Sequence, residues 1–299
     1  MDKLLINDLI EKYKLSKEEH NEVLERLKRD LFDGKTIDEN PSAMFVIGQP
    51  GCGKTTFIKS GNFSKYININ SDEYRHLSKY SSEILDKYPT EYAKFTNYDA
   101  HLWGDELFAY AIQNGYSVLR EKAPIDFSLL DLIKTIPDNY DIVINVVVTG
   151  NLTSLLATRE RYEKELLQNK NAKLSSIDAH NKCYDFLPAF IIGCSSPDVK
   201  INYFVPVGDQ FRVYPVEDNY CYNLIETLKD ESNSNACFNF TKRMDNIKKS
   251  MIRRNAPQEQ FDELRKIEDI YLELSNSNND NIAKIVKKMM SNGEQKQKK

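Results

Sequence analysis

Cysteine is scarce and its spacing suggests no pairing. Cys52, Cys183, Cys194, Cys221 and Cys237 are scattered, odd in number and without a CxxC pair. That disfavours a disulfide framework or a zinc site and fits free thiols in a reducing cytosol. An excess of charge of one sign is also missing: Lys+Arg number 41 against Asp+Glu 45, net −4. A dedicated duplex-DNA binder would carry a basic domain, so a nucleic-acid partner is not expected. No run approaches the roughly 18 uninterrupted apolar residues of a membrane span. The amino end, Met1-Asp2-Lys3-Leu4-Leu5-Ile6-Asn7-Asp8, lacks the long apolar core of a signal peptide. The expectation is a cytoplasmic protein without a membrane partner. No internal repeat is visible. What is present is 40% apolar residue content in 299 residues, enough core for one large domain or two small ones. Disorder throughout and collagen are thereby set aside.

Residues 1–34 read as helical. Leu4, Leu5, Leu9 and Ile10 share a face, and Ser16-Lys17-Glu18-Glu19 looks like a capped start of a second helix. After Gly34 and Pro41, four apolar runs read as strands: Ala43–Ile47, Tyr66–Ile69, Ser117–Arg120 and Asp141–Val148. The last is rich in β-branched residues, as a central parallel strand would be. Helical stretches separate them: from Lys54, about 100–114, around 126–135, and Thr153–Gln168. Strand alternating with helix predicts an α/β fold with a mostly parallel sheet covered on both faces. Val199–Val205 and Gln210–Tyr214, flanking Gly208-Asp209, read as an edge hairpin. Beyond about 223 the chain turns polar and helical, with Phe261, Leu264, Ile267, Ile270, Tyr271 and Leu274 at helical spacing. Ser275–Asn279 reads as a linker, and the Lys/Gln-rich end after Asn292 as disordered. The expected organisation is N-terminal helices over 1–34 packed on the core, a domain over 35–222, and a helical extension over 223–299.

The strongest motif is Gly48-Gln49-Pro50-Gly51-Cys52-Gly53-Lys54-Thr55-Thr56, which fits G-x-x-x-x-G-K-[ST] between a strand and a helix. Glycines let backbone N–H groups curl around a polyphosphate. Lys54 places a cation on the β/γ-phosphates, and the Thr55 hydroxyl can hold Mg²⁺. Cys52 reads as a small loop residue, since no His-bearing motif surrounds it.

A phosphate loop implies a nucleotide without naming the reaction. Switch and motor NTPases carry an acidic residue at the end of an apolar strand to hold Mg²⁺. Here the most apolar strand ends Val147-Val148-Thr149-Gly150, with no carboxylate. Asp72 instead follows the second strand, at the carboxyl edge where ligands bind in such sheets. It could take the proton of an acceptor hydroxyl; a helix N-cap is the competing role, with Ser71 as rival. Glu121 closes the third strand at the same edge and is the second candidate for a carboxylate on the acceptor, with a solvated loop carboxylate as the competing role. Phosphoryl transfer needs further cations. Arg159 and Arg161 lie about 200° apart on a helix, so at most one faces the site and the other is an ordinary surface charge. Lys170 and Lys173 follow in a polar, lid-like stretch.

Together these residues resemble the zeta toxin family of bacterial toxin–antitoxin systems. The likeness rests on Gly-Gln-Pro-Gly-x-Gly-Lys-Thr at Gly48–Thr55, Asp72 with Tyr74 after the next strand, Gly115-Tyr116 before a strand ending in Glu121, and Arg161-Tyr162-Glu163. Ala172-Lys173 and Ala179-His180 echo the family's lid, and the similarity runs from about 40 to 215. The resemblance implies a P-loop kinase fold that moves the ATP γ-phosphate to the 3′-hydroxyl of UDP-N-acetylglucosamine, starving cell-wall synthesis, with a small helical antitoxin as partner. It implies Asp72 as catalytic base, Lys54 and Thr55 as ATP and Mg²⁺ ligands, Arg161 on the transferred group, Lys173 as the lid cation, and Asp105 or Glu106 as an acidic sugar contact.

Two departures stand out. Where the family reads Glu-Gly-Thr-x-Arg, this chain reads Glu121-Lys122-Ala123-Pro124-Ile125, and Lys173 stands where the family tends to have Arg. Pro124 and Ile125 cannot hydrogen-bond a sugar through their side chains. The expected acceptor is therefore UDP-N-acetylglucosamine or another nucleotide-type molecule such as NAD. The rival readings are a regulatory nucleotide-binding module without transfer activity and a polynucleotide 5′-kinase, which the charge balance disfavours.

Overall fold

The computed structural model describes residues 3–88, 91–168, 172, 174–208, 210–214 and 221–276. Six strands form one sheet: β1 (Ser42–Ile47), β2 (Ile67–Ile69), β3 (Val118–Lys122), β4 (Asp141–Val147), β5 (Val199–Val207) and β6 (Gln210–Tyr214), in the order β2-β3-β1-β4-β5-β6. All neighbours are parallel except the β5–β6 hairpin. The helices are α1 (Lys3–Lys12), α2 (Lys17–Phe32), α3 (Lys54–Ser60), α4 (Ser71–Tyr74), α5 (Ser81–Lys87), α6 (Tyr92–Phe95), α7 (Asn97–Gln113), α8 (Ser128–Ile133), α9 (Asn151–Leu167), α10 (Ile177–Cys194) and α11 (Cys221–Arg253), with a last helix, α12, over 258–276.

Alternation along β1 explains why both faces are covered. Phe45 and Ile47 pack with Trp103 and Leu107 of α7 and Leu187 and Phe190 of α10. Met44 and Val46 point the other way, onto Phe57 of α3, with Leu119 and Val147. β1 is buried at all six positions, so no polar face could be tolerated there. Sequence alternation thus produces the expected α/β fold, a P-loop kinase-like layered sheet. Among the described residues no helix is long and apolar enough to cross a membrane.

Two helical additions pack on this sheet. α2 begins with a complete capping box: Ser16 Oγ accepts from Glu19 N at 3.3 Å and Glu19 Oε2 accepts from Ser16 N at 3.0 Å. Its His20 is buried, stacked 5.2 Å from the Trp103 ring, and held at 2.8 Å by Asp99 through Nδ1 and by Glu106 through Nε2. Leu9 of α1 joins Tyr13, Ile84, Tyr92 and Phe95 in a small cluster, with Ile10 beside it; the Leu4 and Leu5 side chains lie outside the described residues. At the other end, α11 and α12 build a second core on α9, with Leu264 and Ile267 buried against it and Phe261, Ile270, Tyr271 and Leu274 partly so. Ser275 and Asn276 are still helical and belong to α12, not to a linker; the rest of the expected linker, 277–279, and the tail after Asn292 lie outside the described residues.

The sequence did not announce α10. Ser176 caps it, accepting from Ala179 N at 3.2 Å, so Ala179 and His180 belong to a helix whose buried face packs on the sheet and not to a lid. Its apolar run is interrupted by Pro188, which breaks the pattern a helix reading depends on.

His20→Leu should lower stability by about 1–3 kcal/mol, the usual cost of leaving a buried polar group, here the Asp99 oxygen that faces His20, without its hydrogen-bond partner. The check is a urea titration in which the midpoint falls with an unchanged slope.

Candidate active site

The loop between β1 and α3 is built on left-handed glycines. Gly51, at φ +81°, sits so close to α9 that a Cβ would lie 2.1 Å from the Ser154 carbonyl oxygen. No side chain fits there, so only glycine allows the loop to curl. The buried Lys54 ammonium is held by the Gly48 and Gln49 carbonyls at 2.8 and 3.1 Å. The parallel register sets Val46 beside Glu121, and the Thr55 hydroxyl donates to Glu121 Oε2 at 3.0 Å, with Lys54 Nζ 3.9 Å from Oε1. Glu121 is thus brought to Thr55, where the two oxygens form a hard donor set of the kind Mg²⁺ takes.

Of the motif residues, Pro50, Gly51, Gly53, Lys54, Thr55 and Thr56 border a cleft of about 1810 Å³. Gln49 and Cys52 point into the protein. Gln49 Nε2 donates to Thr149 O and Thr149 Oγ1, both at 2.9 Å, and to Ser154 Oγ at 3.3 Å. His180 Nε2 lies 2.8 Å from the same Ser154 Oγ. Burial pushes the Cys52 thiol up, away from thiolate chemistry. This Gln49–Ser154–His180 network anchors the loop from behind. Only the Gln-Pro of the motif hinted at it, because its other members come from distant segments.

Across the cleft, Asn70 caps α4 by accepting from Asp72 N at 3.2 Å, so neither Asp72 nor Ser71 is the N-cap. The Asp72 carboxylate points into the cleft edge and binds Arg75 through Oδ1, at 2.9 Å from Nε and 2.7 Å from Nη2. Arg75, three residues on and nearly buried, is also fixed by Ala93 O at 2.7 Å, so it holds Asp72 in one rotamer. Nothing in the local sequence marks Arg75 except its i,i+3 spacing from Asp72.

Asp105 and Glu106 separate cleanly. Asp105 borders the cleft and accepts from Arg120 Nη2 at 2.8 Å, with Lys122 Nζ 3.8 Å away. Glu106 is on the far side of α7, bound to His20, because adjacent helical positions differ by 100°. Lys122 lines the same wall. Burial first, then the neighbouring Arg120, pushes its pKa down to about 8. Pro124, Ile125, Leu129 and Leu132 add an apolar surface beside it.

The helical phase of α9 resolves the arginine pair. Arg161 faces the cleft, half exposed and 3.7 Å from Glu165. Arg159 is not a surface charge, contrary to expectation. It is buried and its Nη2 makes a 2.9 Å ion pair with Glu263 of α12, without hydrogen-bond alignment. The C-terminal helices that bury it could not be foreseen from local spacing. Lys170 and Lys173 lie outside the described residues, whereas Ala172 borders the cleft.

A β1–glycine loop–α3 unit at the centre of a parallel sheet, with carboxylates and an arginine around one cleft, defines a P-loop kinase-like protein. The sequence model of the zeta toxin family matches residues 27–191. The chain belongs to that family, whose members are kinase-type toxins. It is similar to Toxin PezT of Streptococcus pneumoniae serotype 4, at 26% identity over 176 residues, 56% of this chain and 68% of that protein. Toxin zeta of Enterococcus hirae is 24% identical over 170 residues, 53% of this chain and 58% of the relative. A solved structure from the PezAT chromosomal toxin–antitoxin system of Streptococcus pneumoniae shares the fold, with a TM-score of 0.62 at 20% identity, over 79% of this chain and 98% of the other.

Burial lowers the His180 pKa from 6.5 to about 4, and the Lys54 charge pushes the same way. Between those values the unfolded chain binds the proton and the folded one does not, so stability is present above pH 6.5 and lost as pH falls toward 4. The loss is about 3 kcal/mol for this group. Comparing unfolding free energies of the unsubstituted protein and His180→Gln from pH 7 to 4.5 should show a steeper fall in the former.

Proposed function

We propose that the protein is an ATP-dependent kinase that transfers the γ-phosphate to a hydroxyl of a nucleotide-type acceptor, UDP-N-acetylglucosamine in the first instance, and thereby acts as a toxin on cell-wall synthesis. The observation that carries this reading is a single cleft bordered by Lys54, Thr55, Asp72 and Arg161. At about 1810 Å³ it exceeds the 300–1,000 Å³ of ordinary ligand pockets and has room for two nucleotides. The transfer unit is taken as 35–222, flanked by the N-terminal segment 1–34 and the C-terminal extension 223–299.

In this reading the loop amides and Lys54 hold the ATP phosphates. Thr55 and Glu121 would hold Mg²⁺, which supplies neutralisation of phosphate charge when bound. Glu121 is thereby moved from an acceptor contact to the metal side, on the strength of its hydrogen bond to Thr55. Asp72, oriented by Arg75, accepts the proton of the acceptor hydroxyl. Arg161 faces the migrating phosphoryl group and stabilises its charge, and Lys173, outside the described residues, is proposed as a further nucleotide-binding cation. Asp105 and Lys122 stand on the acceptor side. The relatives' association with antitoxins supports a small helical partner that closes the nucleotide site, and the cytoplasm is where the nucleotide pool is found.

Lys54→Ala should lower turnover by about 10²-fold or more with little loss of fold, measured as ADP release at saturating acceptor. Asp72→Asn should keep ATP affinity and lose kcat; equal loss of both would make Asp72 a structural residue. The apolar Pro124 and Ile125 favour a second reading, a nucleotide-binding module without transfer. Initial rates across UDP-sugars, nucleosides and NAD decide between the two. Acceptor-dependent ADP release supports the kinase and names its acceptor class, and tight ATP binding without turnover supports the module.

A further inference from the structure

Helix α9 is gripped by the C-terminal segment through polar contacts from Leu152 to Glu163. Its N-cap, Gly150, has no side chain to offer its first amides. Asn233 of α11, itself buried, supplies the missing acceptor: its Oδ1 accepts from Leu152 N at 3.0 Å. The adjoining Ser232 carbonyl accepts from Thr153 Oγ1 at 2.9 Å. Two turns on, Arg243 binds both oxygens of Glu160 at 2.7 and 2.6 Å. Arg254 binds both oxygens of the buried Glu163 at 2.9 and 2.6 Å, Ser250 donates to the same carboxylate at 2.8 Å, and the Arg254 guanidinium lies 5.5 Å over the Tyr162 ring. Arg159 reaches Glu263 of α12.

These contacts share one side of the helix. At 100° per residue, positions 159, 160 and 163 fall within about 100° of arc, and Ala157, Arg161, Lys164 and Gln168 fall on the adjoining stripe, which borders the cleft together with Glu160 at the seam between the two. The apolar contacts between α9 and α11, such as Leu155 and Leu156 with Phe240, Met244 and Ile247, are non-directional and tolerate a turn of the helix about its axis. Bidentate arginine–carboxylate pairs do not. A rotation of one residue step would break the bidentate pairs and displace Arg161 from its place on the cleft wall. The same helix presents the Ser154 carbonyl against Gly51, so its phase also bears on the phosphate loop.

We propose that the C-terminal helices are a brace for the transfer site, in which Asn233, Arg243 and Arg254 are positioning residues that set the rotational phase of α9 and so place Arg161. The brace lies beyond the segment 27–191 matched by the family, and its catalytic consequence rests on the kinase reading.

The test is a charge swap in the full chain: Glu163→Arg, Arg254→Glu and the two together. The readouts are kcat, ATP affinity and hydrogen exchange of the α9 amides. Each single reversal should strip exchange protection from α9 and lower kcat by about tenfold or more, in line with the ~10²-fold cost of misplacing a catalytic group by 1 Å. ATP affinity should stay within about threefold, and the double swap should recover both protection and kcat. Arg254→Gln, which removes the charge without reversing it, takes the place of a reversal that fails to fold. Single variants with α9 protection and kcat within about twofold of the unsubstituted protein overturn the brace, as does a double swap that recovers neither. Exchange needs no turnover, so an unsubstituted protein without transfer activity would sink the kinase reading alone. Unchanged exchange in the single variants would sink the brace alone.

Discussion

The contact on which the site depends is the approach of Gly51 to the Ser154 carbonyl. It brings the phosphate loop and α9 together at a distance no side chain permits. From it follow the two sides of the cleft around the phosphate loop. The loop, tied down by Gln49 to Thr149 and Ser154, keeps Lys54 and Thr55 at the carboxyl edge of β1. The helix, anchored at the same point, carries Arg161 along the cleft wall two turns later. A displacement of either element would be transmitted to the other, since close-packed backbone has no slack to absorb it.

The remaining features of the molecule serve to keep those two elements in register. His180 completes the polar network behind the loop while staying neutral, so no charge competes with Lys54 from below. On the opposite wall of the cleft, α7 is held by α2 through His20 and in turn presents Asp105 to Arg120 and Lys122. Both helical additions therefore grip a helix that carries a cleft residue. That is a physical reason for a chain with a small parallel sheet to keep long flanking helices.

The wall formed by Asp105, Lys122, Pro124 and Ile125 has a chemistry of its own. Asp105 is shared between a buried arginine and a lysine whose charge is disfavoured by burial. Apolar Pro124 and Ile125 stand beside them. A ligand placed there meets a cation and a hydrophobic patch in place of a row of small hydrogen-bonding groups.

The strand runs, the hairpin, the α2 capping box and the glycine loop were all legible in the sequence. Each is decided by contacts within a few residues: alternation, a cap three positions away, a φ only glycine adopts. The same locality made Lys54, Thr55 and Asp72 recognisable. Tertiary structure decided the rest. Whether Asp105 or Glu106 faces the cleft depends on which side of α7 the His20 helix occupies. That Glu121 joins Thr55 depends on the parallel register of β1 and β3. Arg159 is buried only because α12, about a hundred residues later, folds back onto α9. Such pairings are set by how elements pack and not by spacing along the chain, because side chains at neighbouring helical positions diverge by 100° and only a partner element determines which of them is covered.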